Sequence, residues 1–459
     1  MAEVNLSIIT DKDFKPTLYD VHTVLDEEVV GEHQSRMSVF TNWALANKNV
    51  LMSGPRSSGK TFITDHVIPF LGDGVYTIYS GSDKSHWYQI ENLKKATHIV
   101  ILELNKVPKE VLECLKDWGE GKPSIYKTVV FEGGIRKVKS FKIPPKPFIF
   151  CLADEEEFNL GEQLSSRLTL VRTDNSMTQN KKVLDQQAKL AIEKTNIKRV
   201  DSVMKGKLMQ HVLTLPPLSD YEFKHPAADI FVSAIPQLFT DCRRDFPKYL
   251  GNTYGIARFN WKERIVIPRK EEGEKDWIIV TPADMWLNQV IYGNNLVESS
   301  LKCSAMEREI LAVVRKYDAA VDRNYVSKQI RKKGINISTH MVSRLLKKLS
   351  DVGYLDSQKV GTTYQYTISE FGDFNFAIDW KEVIEATKKA VAEHYPEIAE
   401  KYIKDYCTNP KVMHPFTGEM IDIEKERSTK EETDFGTLTA FTKKTSVSKD
   451  VVEEKIEEG

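Results

Sequence analysis

Residues 49–68 read NVLMSGPRSSGKTFITDHVI. An apolar run, Val50 to Met52, leads into G-x-x-x-x-G-K-T over residues 54–61, and a helical pattern follows. Gly54 and Gly59 allow the loop Gly54, Pro55, Arg56, Ser57, Ser58, Gly59 to fold tightly, with backbone N–H groups turned toward a bound phosphate chain. Lys60 can then reach the β- and γ-phosphates, and the Thr61 hydroxyl can ligate Mg²⁺. A bare glycine loop with a solvated lysine also fits the pattern, but the strand before it and the helix after it favour the phosphate loop. ATP and Mg²⁺ are the cofactors this segment implies.

Working outward, short β-rich runs recur between helical patterns from about residue 20 to 175: VYTIYS, HIVILEL, PFIFCLA and LTLVRT. That alternation predicts a mostly parallel sheet with helices on both faces. Residues 1–20 read as an N-terminal extension, 21–175 as the nucleotide-binding core, and 176–300 as a helical insertion and lid. A compact helical–hairpin unit is expected over 301–372, further helices over 373–424, and a charged, disordered tail over 425–459. The role of the helical stretch 176–224 stays open at this level.

The chain of 459 residues is 41% hydrophobic and 29% charged, with a net charge of −1. Any nucleic-acid surface must therefore be a local patch and not a global field. Five scattered cysteines without a CxxC pair argue against a zinc site or a disulfide framework. With no basic-then-apolar leader and no run long enough to span a bilayer, no membrane is expected, and the chain reads as cytoplasmic.

The preceding segment VVGEHQSRMSVFTNWALANKNVLMSGP (29–55) resembles the approach to AAA+ modules, where a Gly–acid turn and an amphipathic helix lead into the phosphate loop. Within that superfamily the chain is most similar to the helix-2-insert clade, which holds the MCM helicases and MoxR-type ATPases. The resemblance spans about residues 25–300. It implies an α/β P-loop NTPase of AAA+ type with a helical lid.

Residues 102–106, LELNK, fall where MCM-like proteins carry D-E-F-D-K. In one register Glu103 is the water-activating glutamate and Leu102 replaces the metal-orienting aspartate. In the other, Glu103 orients the metal and Leu104 replaces the base. The trailing Asn105–Lys106 favours the first, so slow hydrolysis is expected. EQLSSRLTLVRTD (162–174) resembles the arginine-finger segment and places the finger at Arg167, which implies a ring, by family analogy a hexamer. The lid resemblance puts a sensor arginine at Arg243 or Arg244. Asp154 stands where asparagine is usual and could share the metal-orienting role; a solvated loop acid is the simpler reading.

Residues 121–146 read as a hairpin turning at Gly133–Gly134, whose second arm carries Arg136, Lys137, Lys139 and Lys142. In MCM-like ATPases a pore hairpin in this part of the chain contacts DNA phosphates; an edge blunted by lysines is the plain alternative. Residues 306–369 resemble a C-terminal winged helix-turn-helix. Its first helix buries Ile310, Val313 and Val314. Its third starts at a Ser338 cap and is expected to bury Met341, Leu345, Leu346 and Leu349, leaving Thr339, His340, Ser343, Arg344 and Lys347 outward for a DNA groove. In the tail, Leu438 and Phe441 resemble a degenerate sliding-clamp-binding box, with Phe435 and Thr442 at the positions that depart from it.

These features together imply an ATP-dependent, DNA-acting, MCM-like replicative helicase or motor on single-stranded or forked DNA, with double-stranded contact through the winged helix. Barely thirty residues precede the core, which suits a compact replication protein of plasmid, virus or mobile-element type. Two other readings remain: an ATP-gated DNA-binding switch with little hydrolysis, and a MoxR-like remodelling ATPase acting on protein.

Overall fold

The computed structural model describes residues 14–78, 90–102, 107, 109–133, 135–153, 162–174, 176–192, 202–235, 242–269, 273–301, 303, 305–317, 319–333, 335, 337–369 and 378–426. In chain order its first elements are α1 (Leu18–Glu28), α2 (His33–Val39), β1 (Val50–Gly54), α3 (Lys60–Val67), β2 (Val75–Ile78), α4 (Ile90–Lys95), β3 (His98–Ile101), α5 (Lys109–Gly119), β4 (Ser124–Glu132), β5 (Ile135–Ile143), β6 (Phe148–Ala153), α6 (Glu162–Ser165) and β7 (Thr169–Arg172). Five of these strands form one parallel sheet in the order β2-β3-β6-β1-β7. Strands β1, β3 and β6 are buried at every position, as a sheet covered on both faces demands. Leu51, Ile99, Ile101, Phe148 and Phe150 pack with Leu115 and Trp118 of α5.

The first strand thus lies between the last two, and the chain leaving it crosses to the far edge. Such a reversal opens a crevice beyond the carboxyl ends of the strands, where open α/β sheets bind ligands. The loop 55–59 leaves β1 at that point.

Beyond the sheet come α7 (Met177–Ile192), α8 (Ser202–Leu213), β8 (Tyr221–Lys224), α9 (Ala228–Ala234), α10 (Cys242–Phe259), β9 (Val266–Ile267), β10 (Asp276–Ile279) and α11 (Pro282–Leu301). The expected all-helical stretch 176–300 therefore also holds a small sheet, β8-β10-β9. Its strands are two to four residues long, too short for a period of two to show against the surrounding helical pattern.

Residues 378–426 are more than the helices expected. After α15 (Trp380–His394) and α16 (Pro396–Tyr402), Lys411–Met413 pairs antiparallel with Met420–Asp422. The segment folds back onto earlier elements: the buried Tyr402 hydroxyl donates to the Val280 carbonyl (2.6 Å), Trp380 meets Phe231, and Phe416 meets His22 of α1.

The chain divides into two compact units, the described parts of 1–302 with 375–428, and those of 303–374. The second contains α12 (Ala305–Lys316), β11 (Val321–Asp322), α13 (Arg323–Lys332), α14 (Thr339–Asp351), β12 (Leu355–Val360) and β13 (Thr363–Ile368), with an antiparallel sheet ordered β11-β13-β12. Ser338 caps α14 by accepting from the Met341 N–H at 3.2 Å, and Asp322 caps α13 through Tyr325 N–H at 2.8 Å. Ile310, Val313, Val314, Leu346 and Leu349 are buried, but Met341 is 38% exposed and Val342 takes its place inside. Leu345 is half-buried. Among the described residues no helix is long and apolar enough to cross a membrane.

Candidate nucleotide site and basic surfaces

Lys60 opens α3 and its ammonium folds over the loop it closes. Nζ donates to the carbonyls of Gly54 (2.8 Å) and Pro55 (2.6 Å) and to the Ser58 hydroxyl (3.3 Å). These are neutral acceptors, which a phosphate oxygen outcompetes because it brings an opposite formal charge to the ammonium. Gly59 has φ +85°, the left-handed region, where a side chain would be strained. Gly54 is required for a different reason: a Cβ there would lie 1.9 Å from Thr173 Oγ1. Pro55, Arg56 and Ser57 are exposed along the loop, and Thr61 is exposed in the first turn of α3. A helix N-terminus, a lysine and a Thr hydroxyl make a donor set that fits a nucleotide's phosphates and its magnesium. Thr61 would supply the hydroxyl ligand to the metal. Glu103 and Asp154 lie outside the described residues; Leu102, just past β3, is half-buried.

Two neighbours that the sequence did not single out steady this corner. Thr173 directly follows β7, and its hydroxyl bonds to that of Ser58 at 2.8 Å. The next residue, Asp174, donates its N–H to both carboxylate oxygens of Glu32 at 3.0 and 3.1 Å. Glu32 sits in the Gly–acid turn before α2 with φ 51°, accepts the Ser35 hydroxyl at 2.7 Å, and is buried. Burial carries its carboxyl up to about 7, outweighing the Ser35 and Asp174 bonds that favour the ionised form. The available signal was position alone: a small polar residue closing the strand beside β1.

His22, Asp26 and His33 bring potential metal-ligand atoms within 4.8 Å of one another. A guanidinium already occupies their focus: Arg36 Nη2 lies 2.5 Å from Asp26, 2.9 Å from His22 and 2.8 Å from His33, and Nη1 donates to the Gly31 carbonyl at 2.8 Å. Burial, then the Arg36 charge, push His22 down to about 3 and His33 down to about 4. The cluster is a neutral-imidazole brace for the turn before α2, and the five cysteines are free thiols.

Arg167 lies between α6 and β7 with its side chain 13% exposed. Its guanidinium pairs with Glu120 and reaches the Lys116 carbonyl at 3.4 Å, both at the end of α5. A bond from Lys122, then the Arg167 charge, holds the Glu120 carboxyl below its usual range. Arg243 and Arg244 are exposed on the first turn of α10, and Arg244 donates to the Ser166 hydroxyl. The fold thus joins Arg244 to the segment of Arg167.

The ribbon β4–β5 pairs along its whole length, Ser124 opposite Ile143 to Glu132 opposite Ile135. At its root Ile143 is buried, the Ser124 hydroxyl donates to the Cys114 carbonyl (3.0 Å), and the Lys94 ammonium lies 5.2 Å from the Phe141 ring centre. Residues 135–140 are all exposed. Because side chains alternate, both faces of the ribbon are solvated there: Arg136 and Lys142 point one way, Lys137 and Lys139 the other. In the second unit His340, Arg344 and Lys347 are exposed on α14, while Thr339 and Ser343 are half-buried. Thr339 accepts from Arg331 at 3.4 Å.

Phosphate loop, switch point and covered parallel sheet define an α/β P-loop NTPase fold. No protein-family profile and no curated protein sequence matches the chain. Among solved structures, an Orc1 protein of Aeropyrum pernix in complex with DNA is 12% identical, over 83% of this chain and 98% of that one, with a TM-score of 0.24. JCV helicase is 13% identical over 44% of this chain and 55% of its own, TM-score 0.26. NtrX of Brucella abortus, in complex with ADP, is 14% identical over 53% and 68%, TM-score 0.26. Likenesses this loose place no residue.

Proposed function

We propose that this chain is an ATP-dependent AAA+ protein that acts on DNA, a motor of the MCM-like kind. The observation that carries the reading is one unit holding both a phosphate loop at the sheet's switch point and a basic ribbon solvated on both faces. ATP and Mg²⁺ bind at Gly54–Thr61, with Lys60 on the phosphates and Thr61 on the metal. When bound, the metal supplies charge neutralisation for phosphoryl transfer. Glu103 orients the attacking water, and Arg167 acts on the nucleotide of a neighbouring subunit in a ring after leaving Glu120. Arg136, Lys137, Lys139 and Lys142 meet DNA phosphates in a pore, which gives sequence-independent, salt-sensitive contact. The three-helix, three-strand order of the second unit supports a winged helix presenting His340, Arg344 and Lys347 to a duplex.

A second reading, an ATP-gated DNA-binding switch, is favoured by Leu102 standing where an aspartate would hold the metal. ATP hydrolysis by the full chain, with and without single-stranded and forked DNA, separates the two. Turnover that rises with DNA and vanishes in Glu103→Gln supports the motor. Tight ATP binding without turnover in any condition overturns it in favour of the switch.

A further inference from the structure

We infer that Thr173 is a positioning residue for nucleotide binding, holding the phosphate loop open from outside it through the Ser58 hydroxyl. The inference rests on the nucleotide reading above and names a residue outside the phosphate loop. Thr173 is 6% exposed and takes hold of the loop at both ends. Its N–H donates to the Ser53 carbonyl at 3.0 Å, where β1 runs into the loop, and its hydroxyl donates to Ser58 at 2.8 Å, one residue before the closing Gly59. Between these points Gly54 passes so close that only hydrogen fits against the Thr173 oxygen. Ser58 Oγ is therefore shared between Thr173 and the Lys60 ammonium.

When Lys60 turns to a phosphate, its bonds to Gly54, Pro55 and Ser58 are given up, and the Thr173 bond remains. A loop whose N–H groups must converge on phosphate binds more tightly if its shape is fixed beforehand, because ordering is then not charged against binding. Thr173 is itself fixed from the other side. Asp174 N–H is held by Glu32, and Ser35, which donates to Glu32, also bonds to the Arg172 carbonyl at 2.8 Å. The turn before α2 and the phosphate loop are thus tied to one strand end.

Titration calorimetry of ATP–Mg²⁺ into the full chain tests this. Thr173→Val should weaken binding about fivefold to tenfold, the size of one neutral hydrogen bond, and Thr173→Ser should stay within about twofold of wild type. Ser58→Ala removes the same bond from the other partner and leaves room for the valine methyl. It should show a similar loss, and the double variant should be no weaker than the weaker single one. Wild-type affinity in Thr173→Val, an equal loss in Thr173→Ser, or losses that multiply in the double variant would overturn the inference. Lys60→Ala distinguishes the two levels. If it binds like wild type, or if wild type does not bind, the nucleotide reading itself fails. If only Lys60→Ala loses binding, Thr173 has no positioning role.

Discussion

The phosphate loop and the β4–β5 ribbon belong to one compact unit and both rely on cations, yet they are built in opposite ways. Lys60 is 9% exposed and has three partners within the loop. Residues 135–140, with Arg136, Lys137 and Lys139, are exposed on a ribbon whose root is anchored through the buried Ile143 and the Ser124 hydroxyl. An inward cation acts through geometry and loses nearly everything when removed. Outward cations act through summed charge, so each matters little and salt weakens them all.

The sharpest way to break this contrast is Lys60→Ala, expected to weaken ATP binding about 100-fold or more by calorimetry, the loss of a charge-assisted contact to phosphate. A loss under tenfold would mean that Lys60 does not contact the phosphates and serves only to close the loop. The same inward–outward distinction is testable within α14. Leu346→Ala should cost about 2–4 kcal/mol in urea unfolding of the full chain, whereas Met341→Ala should stay within about 0.5 kcal/mol. Equal costs would put Met341 in the core after all.

Replacing Arg136, Lys137, Lys139 and Lys142 together by serine should reduce single-stranded DNA affinity and lower the slope of log K against log salt by about 0.7 per cation removed. ATP affinity should not change. An unchanged salt slope would make the ribbon a lysine-blunted edge and nothing more.

The smallest effect concerns pH. Glu32 is raised from an ordinary 4.5 to about 7, so the folded chain keeps a proton that the unfolded chain has lost. Its stabilisation is full below about pH 4.5 and lost as pH rises through about 7. His22 and His33 run the other way. Their folded values, about 3 and about 4, lie below an ordinary 6.5, so their contribution is present above pH 6.5 and lost as pH falls. Each group is worth about 1.4 kcal/mol per pH unit inside its window. Glu32→Gln removes only the first term, so its stability at pH 8 relative to pH 5 should exceed that of wild type by about 2 kcal/mol in urea titrations. Parallel pH profiles would show that Glu32 is ionised in the folded chain.

The phosphate loop, the ribbon and the capped helix α14 were legible because each is written in consecutive residues: a glycine spacing, a run of alternation, a serine before a helical period. The small sheet of 221–279 was not, since strands of two to four residues carry too little period. Nor was the exchange of Met341 for Val342. Adjacent positions on a helix differ by 100° of rotation, and which of them faces inward depends on the helices packed against it.

The sequence by itself determined that a strand, a phosphate loop and a helix follow one another and that a basic hairpin comes later, because torsional preference and hydrophobic period are local. Only the tertiary structure decided what surrounds that loop. It brought Asp174 to Glu32 across 142 residues, set Thr173 against Ser58, and buried Arg36 among two histidines and an aspartate. The first two contacts arise from strand order. Placing β7 beside β1 delivers residues 173 and 174 to the loop, and nothing in their own neighbourhood of the sequence encodes that meeting.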